Sequence, residues 1–130
     1  MKQLAAKFVA LAVGSVAGGL ARYHVSNLTH RYFGHGFPYG TLAVNLTGCF
    51  IIGLLSAVTE EKFFLGHHGR LILIAGFCGA FTTFSAFMLE TDALLRHADF
   101  FRAFLNVLLS VSAGFVFFRL GAFLGTAFSS

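Results

Sequence analysis

Gly76-Phe77-Cys78-Gly79-Ala80-Phe81-Thr82-Thr83-Phe84-Ser85-Ala86-Phe87-Met88-Leu89-Glu90 is the stretch on which the fold turns. Inside an otherwise apolar segment it places two glycines, then three hydroxyl side chains within four residues, with phenylalanines three apart at 84 and 87. A passive lipid-facing helix has no use for that combination. Backbone that leaves the helix at membrane depth is tolerated only where protein or a polar cavity satisfies it. The stretch therefore predicts a break near Gly79 to Thr83, and it marks where function sits.

The rest of the chain supports the membrane setting. Of its 130 residues 57% are hydrophobic and 11% charged, with a mean hydropathy of +0.81, whereas soluble domains carry about 25% charged residues. One crossing takes roughly 20 apolar residues, so four crossings use most of the chain. The expected fold class is an all-α integral membrane protein of one domain over residues 1–130. Its helices are expected at about 4–25, 39–58, 70–95 and 101–119, with a tail to 130. Lys2 and Lys7 give the start a superficial likeness to a signal peptide. The glycine-rich run that follows reaches Arg22 without a convincing cleavage site, so the segment reads as a retained helix.

Each segment has its own signature. The first carries Gly14, Gly18 and Gly19, a small-residue face suited to close helix approach, and ends in Arg22-Tyr23-His24 at the interface. For Arg22, snorkelling is favoured over an anion-attracting role in a vestibule. Residues 26–37, with His30, Arg31 and His35, read as a solvated loop closed by Pro38. In the second segment Thr41 and Asn45 are four apart and share a face. An intramembrane asparagine serves either as interhelical glue or as a pathway lining, and the residues alone leave both open. Residues 59–69 read as a solvated turn. In the fourth segment Asn106, Ser110 and Gly114 form one small, polar stripe. Cys49 and Cys78 lack metal or disulfide spacing and read as packing residues.

Scattered basic residues, despite a net charge of +4, argue against nucleic acid as a partner. The five acids lie at or near connections, and no histidine is expected within an apolar segment to activate a hydroxyl nucleophile, so enzyme activity is not expected. What remains is a set of neutral donors, the Asn45 amide and the hydroxyls of Thr41, Thr82, Thr83, Ser85 and Ser110, beside Phe84 and Phe87. A phenyl ring is negative on its face and positive at its edge, so an edge can approach an anion. In a chain with 18 phenylalanines, ordinary packing is still the favoured reading of those two rings. Both termini and the second connection fall on one side, where Lys2, Lys7, Lys62 and Arg70 balance Arg22, Arg31, Arg96 and Arg102 opposite. Orientation follows the Lys/Arg bias, and an even balance predicts insertion both ways.

The motifs Gly-Thr-Leu-Ala-Val-Asn-Leu at 40–46 and Gly-Phe-Cys-Gly-Ala-Phe-Thr-Thr-Phe-Ser at 76–85, with Gly-Gly-x-x-Arg-Tyr at 18–23, resemble the Fluc (CrcB) family of bacterial fluoride channels. The likeness spans nearly the whole chain. It implies four helices with the third broken, an antiparallel dual-topology homodimer in the inner (plasma) membrane, and two fluoride pores per dimer. By motif position Asn45, Phe84, Phe87 and Ser110 line each pore, Thr41, Thr83 and Ser85 add hydroxyls, and Arg22 becomes a vestibule residue. Backbone carbonyls of Gly79 and Thr82 from both subunits are implied to hold one structural Na+. Ala80, Ala86 and Asn106 depart from residues common in that family. The alternative, a proton-coupled exporter of the small multidrug type, depends on a first-helix glutamate, and this first segment has no acid.

Overall fold

A computed structural model of the chain describes residues 1–62 and 66–129. Among these residues every regular element is helical. Four stretches are long and apolar enough to cross a membrane: Lys2–Phe33, Tyr39–Thr59, His68–Arg96 and Phe100–Phe128. No more than 28% of any span's most apolar window is buried within the chain, so lipid or protein must cover the remainder. This is a multi-pass membrane protein.

The helices outrun the apolar pattern. The first is Lys2–Phe33 where an end near Val25 is expected, the second Tyr39–Lys62, and the fourth Phe100–Ser129, which takes in the tail beyond Arg119. The cause is that polarity does not end a helix. Residues 26–33 contain no glycine or proline, and the first helix stops only at Gly34, whose φ of 76° suits a residue without a side chain. The Gly34 N–H then donates to the His30 carbonyl at 2.9 Å. Most of the loop expected at 26–37 is therefore helix, and it carries His30 and Arg31. Pro38 starts the second helix, accepting from the Leu42 N–H at 3.1 Å. The turn expected at 59–69 shrinks likewise, because the second helix runs to Lys62 and the third span begins at His67. Residues 63–65 of that turn lie outside the described residues.

The third span is assembled from pieces. His67–Arg70 is an α-helical turn, Leu71–Cys78 widens into a π-helix, and Gly79–Phe81 is a last tight turn. Thr82 (φ −80°, ψ 157°) and Thr83 (φ −151°, ψ 117°) are extended, and Phe84–Arg96 forms a separate helix after them. That helix closes with the Asp99 N–H on the Leu94 carbonyl at 2.9 Å and the Ala98 N–H on the Leu95 carbonyl at 3.0 Å. This is a Schellman closure, with Ala98 in the left-handed region at φ 57°. Asp99 Oδ1 then accepts from the Arg102 N–H and so caps the fourth helix.

Helices in hydrocarbon associate through close van der Waals contact, because lipid tails are as apolar as leucine. The tightest main-chain contacts join two pairs of spans. The first helix lays Gly14 and Gly18 on the backbone of Ile72 and Phe77 in the π-wound stretch. The second and fourth interlock, with Gly53 against the Phe118 carbonyl and Gly121 against the Phe50 carbonyl. A side chain at any of these four positions would collide with main chain that has nowhere to move. Gly19, one residue from Gly18, faces open space.

Gly121→Ala is therefore expected to cost about 1–3 kcal/mol through overpacking, and Gly19→Ala to be neutral or stabilising by up to about 1 kcal/mol. Size-exclusion recovery of detergent-purified protein after stepped heating checks both. Equal recovery of the two variants would contradict this packing.

Candidate functional site

The break is repaired by a side chain from another span. Asn45 Nδ2 donates to the Thr83 carbonyl at 3.0 Å, and the Thr83 N–H donates to Asn45 Oδ1 at 2.8 Å. One amide thus satisfies both polar groups of a residue outside either flanking helix. Thr82 turns inward on its own helix, its hydroxyl and its N–H both donating to the Cys78 carbonyl, at 2.9 and 3.0 Å. Thr83 caps the next helix, its Oγ1 accepting from the Ala86 N–H at 3.2 Å with Ser85 Oγ 3.3 Å away.

These bonds redirect two carbonyls. In an unbroken helix the Thr83 N–H would serve the Gly79 carbonyl and the Ala86 N–H the Thr82 carbonyl. Both donors are taken, the first by Asn45 and the second by the Thr83 hydroxyl.

Two clefts meet at Thr83. A cavity of about 450 Å³ is lined by Asn45, Gly79, Thr82, Thr83, Phe84, Phe87 and Ser110 together with apolar neighbours, and no charged side chain lines it. The Phe84 and Phe87 rings stand 5.7 Å apart at 52°. Phe87 is buried, whereas Phe84 is 73% exposed on the surface of the subunit. The Ser110 hydroxyl is buried without a hydrogen-bond partner, a donor left over beside the rings. The second cavity, of about 540 Å³, is lined by Arg22, Tyr23, Ser26, His30, Thr41, Thr83, Ser85 and Glu90 among others. The ten residues that the resemblance assigns to pore, vestibule and sodium site all fall on one cleft or the other.

Glu90 and Asn106 make contacts that the sequence does not predict. Glu90 lies on the third span, where Thr41 donates to its Oε1 at 2.8 Å and its Oε2 is buried without a partner. The Thr41 hydroxyl proton is therefore occupied. Glu90 is three residues beyond Phe87, on the same helix face, and that spacing was the available signal. Asn106 is buried and donates to Thr91 Oγ1 at 2.9 Å. No local sequence signal pairs residues 15 apart on different helices.

A family model described as CrcB-like protein, Camphor Resistance (CrcB), matches residues 9–122. The chain belongs to the CrcB family. Several relatives of this CrcB chain carry the name fluoride-specific ion channel FluC. One from Dehalococcoides mccartyi is 43% identical over 116 residues, covering 89% of each chain. One from Desulforapulum autotrophicum is 41% identical over 119 residues, covering 92% of this chain and 95% of its own. One from Vibrio parahaemolyticus is 42% identical over 114 residues, covering 85% and 90%.

Replacing Asn45 by leucine strands the Thr83 N–H and carbonyl, and leaving a buried group unmet costs about 1–3 kcal/mol. Asn45→Leu is expected to lower the detergent unfolding midpoint, and Asn45→Gln to recover little because its amide sits one methylene too far. Unfolding midpoints that match the wild type in both variants would refute the clamp.

Proposed function

We propose that this chain is a fluoride-selective channel through which fluoride leaves the cytoplasm passively, lowering its intracellular concentration. The observation that carries this reading is the uncharged cleft, where a spare Ser110 hydroxyl, the Asn45 amide and the Phe84 and Phe87 rings converge. A channel must hold its ion firmly enough to admit it and loosely enough to release it. Neutral donors and ring edges replace part of the hydration shell of a small anion without the grip of a buried cation. Arg22, in the neighbouring cleft, raises the local anion concentration at its mouth. The names of the relatives support fluoride as that anion.

The working unit in this reading is an antiparallel, dual-topology homodimer in the inner (plasma) membrane, with two pores that each draw on both copies. Phe84 supports it, since a pore ring 73% exposed in one subunit lacks the wall that a second copy supplies. The even Lys/Arg balance supports both orientations. One Na+ between the copies would be held by the Gly79 and Thr82 carbonyls. Those are the two oxygens whose helical donors have been redirected, Gly79 is exposed on the subunit surface, and hard oxygen ligands suit a hard cation. Such an ion would lock the two breaks together.

Liposomes holding the purified protein are expected to release fluoride, read by electrode, with little chloride release. Phe84→Ile should lower the rate by about 10²-fold or more, as removal of a key electrostatic contact does elsewhere, while the protein elutes as the same species. Equal chloride flux overturns the selectivity. Exchange of Na+ for a bulky organic cation during purification is expected to reduce flux, and C-terminal tags should report from both sides of the membrane.

A further inference from the structure

We infer that Asn106 and Thr91 form a positioning relay that fixes where the Phe87 ring stands in the anion cleft. The inference rests on the channel reading above. Asn106, on the fourth helix, is 2% exposed, and its Nδ2 donates to Thr91 Oγ1 at 2.9 Å. Thr91 Oγ1 in turn donates to the Phe87 carbonyl at 2.7 Å. A hydroxyl has one proton, and that proton goes to Phe87, so Asn106 must be the donor on the other side. The relay has a fixed direction, from the fourth helix to the residue that bears the ring.

The bond from Thr91 to a carbonyl four residues back is common in this chain, since Thr29, Thr47 and Thr59 make it too. Among these four threonines only Thr91 also receives a hydrogen bond from another span. That second bond needs a reason, and the broken span supplies one. Phe84–Arg96 is severed from the helix before it, so rotation about its own axis is not fixed by a continuous backbone ladder. Asn45 pins its start at Thr83, and Thr41 ties Glu90 to the second helix. Asn106 pins Thr91 to the fourth helix, eight residues beyond Thr83 and about 12 Å further along the axis. A short helix held at one end can swing, and held on two sides it cannot. The consequence falls on Phe87, because a ring attracts an anion at its edge and repels it at its face. Asn106 and Thr91 line neither cleft, so they act through the ring and not on the ion.

Thr91→Val removes the relay at nearly constant shape, Thr91→Ser keeps it, and Asn106→Leu removes the donor alone. In fluoride efflux from liposomes, Thr91→Val and Asn106→Leu are each expected to slow release about tenfold, at the strong end for one interhelical bond in a membrane. Thr91→Ser should stay within about twofold of wild type, and the double variant should be no slower than the slower single one, because two links of one chain do not add. Wild-type flux in Thr91→Val, or a double variant slowed by the product of the singles, overturns the relay. A second readout does not depend on flux. With 4-fluorophenylalanine at position 87, the ¹⁹F resonance should move in Asn106→Leu and Thr91→Val and return in Thr91→Ser. An unmoved resonance overturns the relay even where flux falls. A resonance that moves as expected while wild-type protein releases no fluoride upholds the relay and removes the channel reading. Where Thr91→Val yields no monodisperse protein, Asn106→Leu decides both readouts.

Discussion

Two hydrogen bonds between Asn45 and Thr83 hold the molecule's design together. An extended residue inside a membrane span exposes an N–H and a carbonyl, each costing several kcal/mol in hydrocarbon if unmet. A primary amide donates and accepts side by side without carrying a charge, and it meets both groups at once. Only with that repair in place can the third span stop, turn and restart. The redirected Gly79 and Thr82 carbonyls, the capping of Phe84–Arg96 by Thr83 and the meeting of two clefts at one residue all follow from the interruption.

The rest of the packing divides into a rigid part and a placed part. Glycine contacts fasten the first helix to the π-wound half of the third span, and the second helix to the fourth. These contacts are backbone against backbone and tolerate no adjustment. The segment after the break is handled differently. The bonds that Thr41, Asn45 and Asn106 make to other spans all end on residues 83–91. Directional bonds specify orientation better than apolar contact does, and this is the segment whose orientation sets the rings.

Much of this was legible in the sequence, for reasons that can be named. Four apolar stretches announce four spans, and Gly79 with Thr82 and Thr83 announces an interruption, because such residues weaken a helix at a depth where weakness is costly. The helix ends were less legible. The polarity of Ser26 to Arg31 predicts a loop, yet a helix that leaves the membrane continues in water until glycine or proline stops it. The tail past Arg119 continues the fourth helix, where Gly121 meets the Phe50 carbonyl. Asn45 is visible in the sequence as an anomaly, but its partner, Thr83, lies 38 positions away. In the structure it clamps the break and borders the cleft. The π-winding of Leu71–Cys78 has no signature in residue type.

The interruption also divides an electrical object. An α-helix carries a partial positive charge at its N-terminus and a partial negative charge at its C-terminus, and these are strongest in the terminal turns. A continuous third span would keep both poles at the membrane surfaces, where water screens them. Stopping at Phe81 and restarting at Phe84 brings a negative pole and a positive pole to the middle of the bilayer, a few residues apart. The first lies beside the redirected carbonyls of Gly79 and Thr82, and the second at the turn that bears Ser85 and Phe87. The chain thereby separates charge at membrane depth using only neutral groups, and that separation does not depend on a proton being gained or lost.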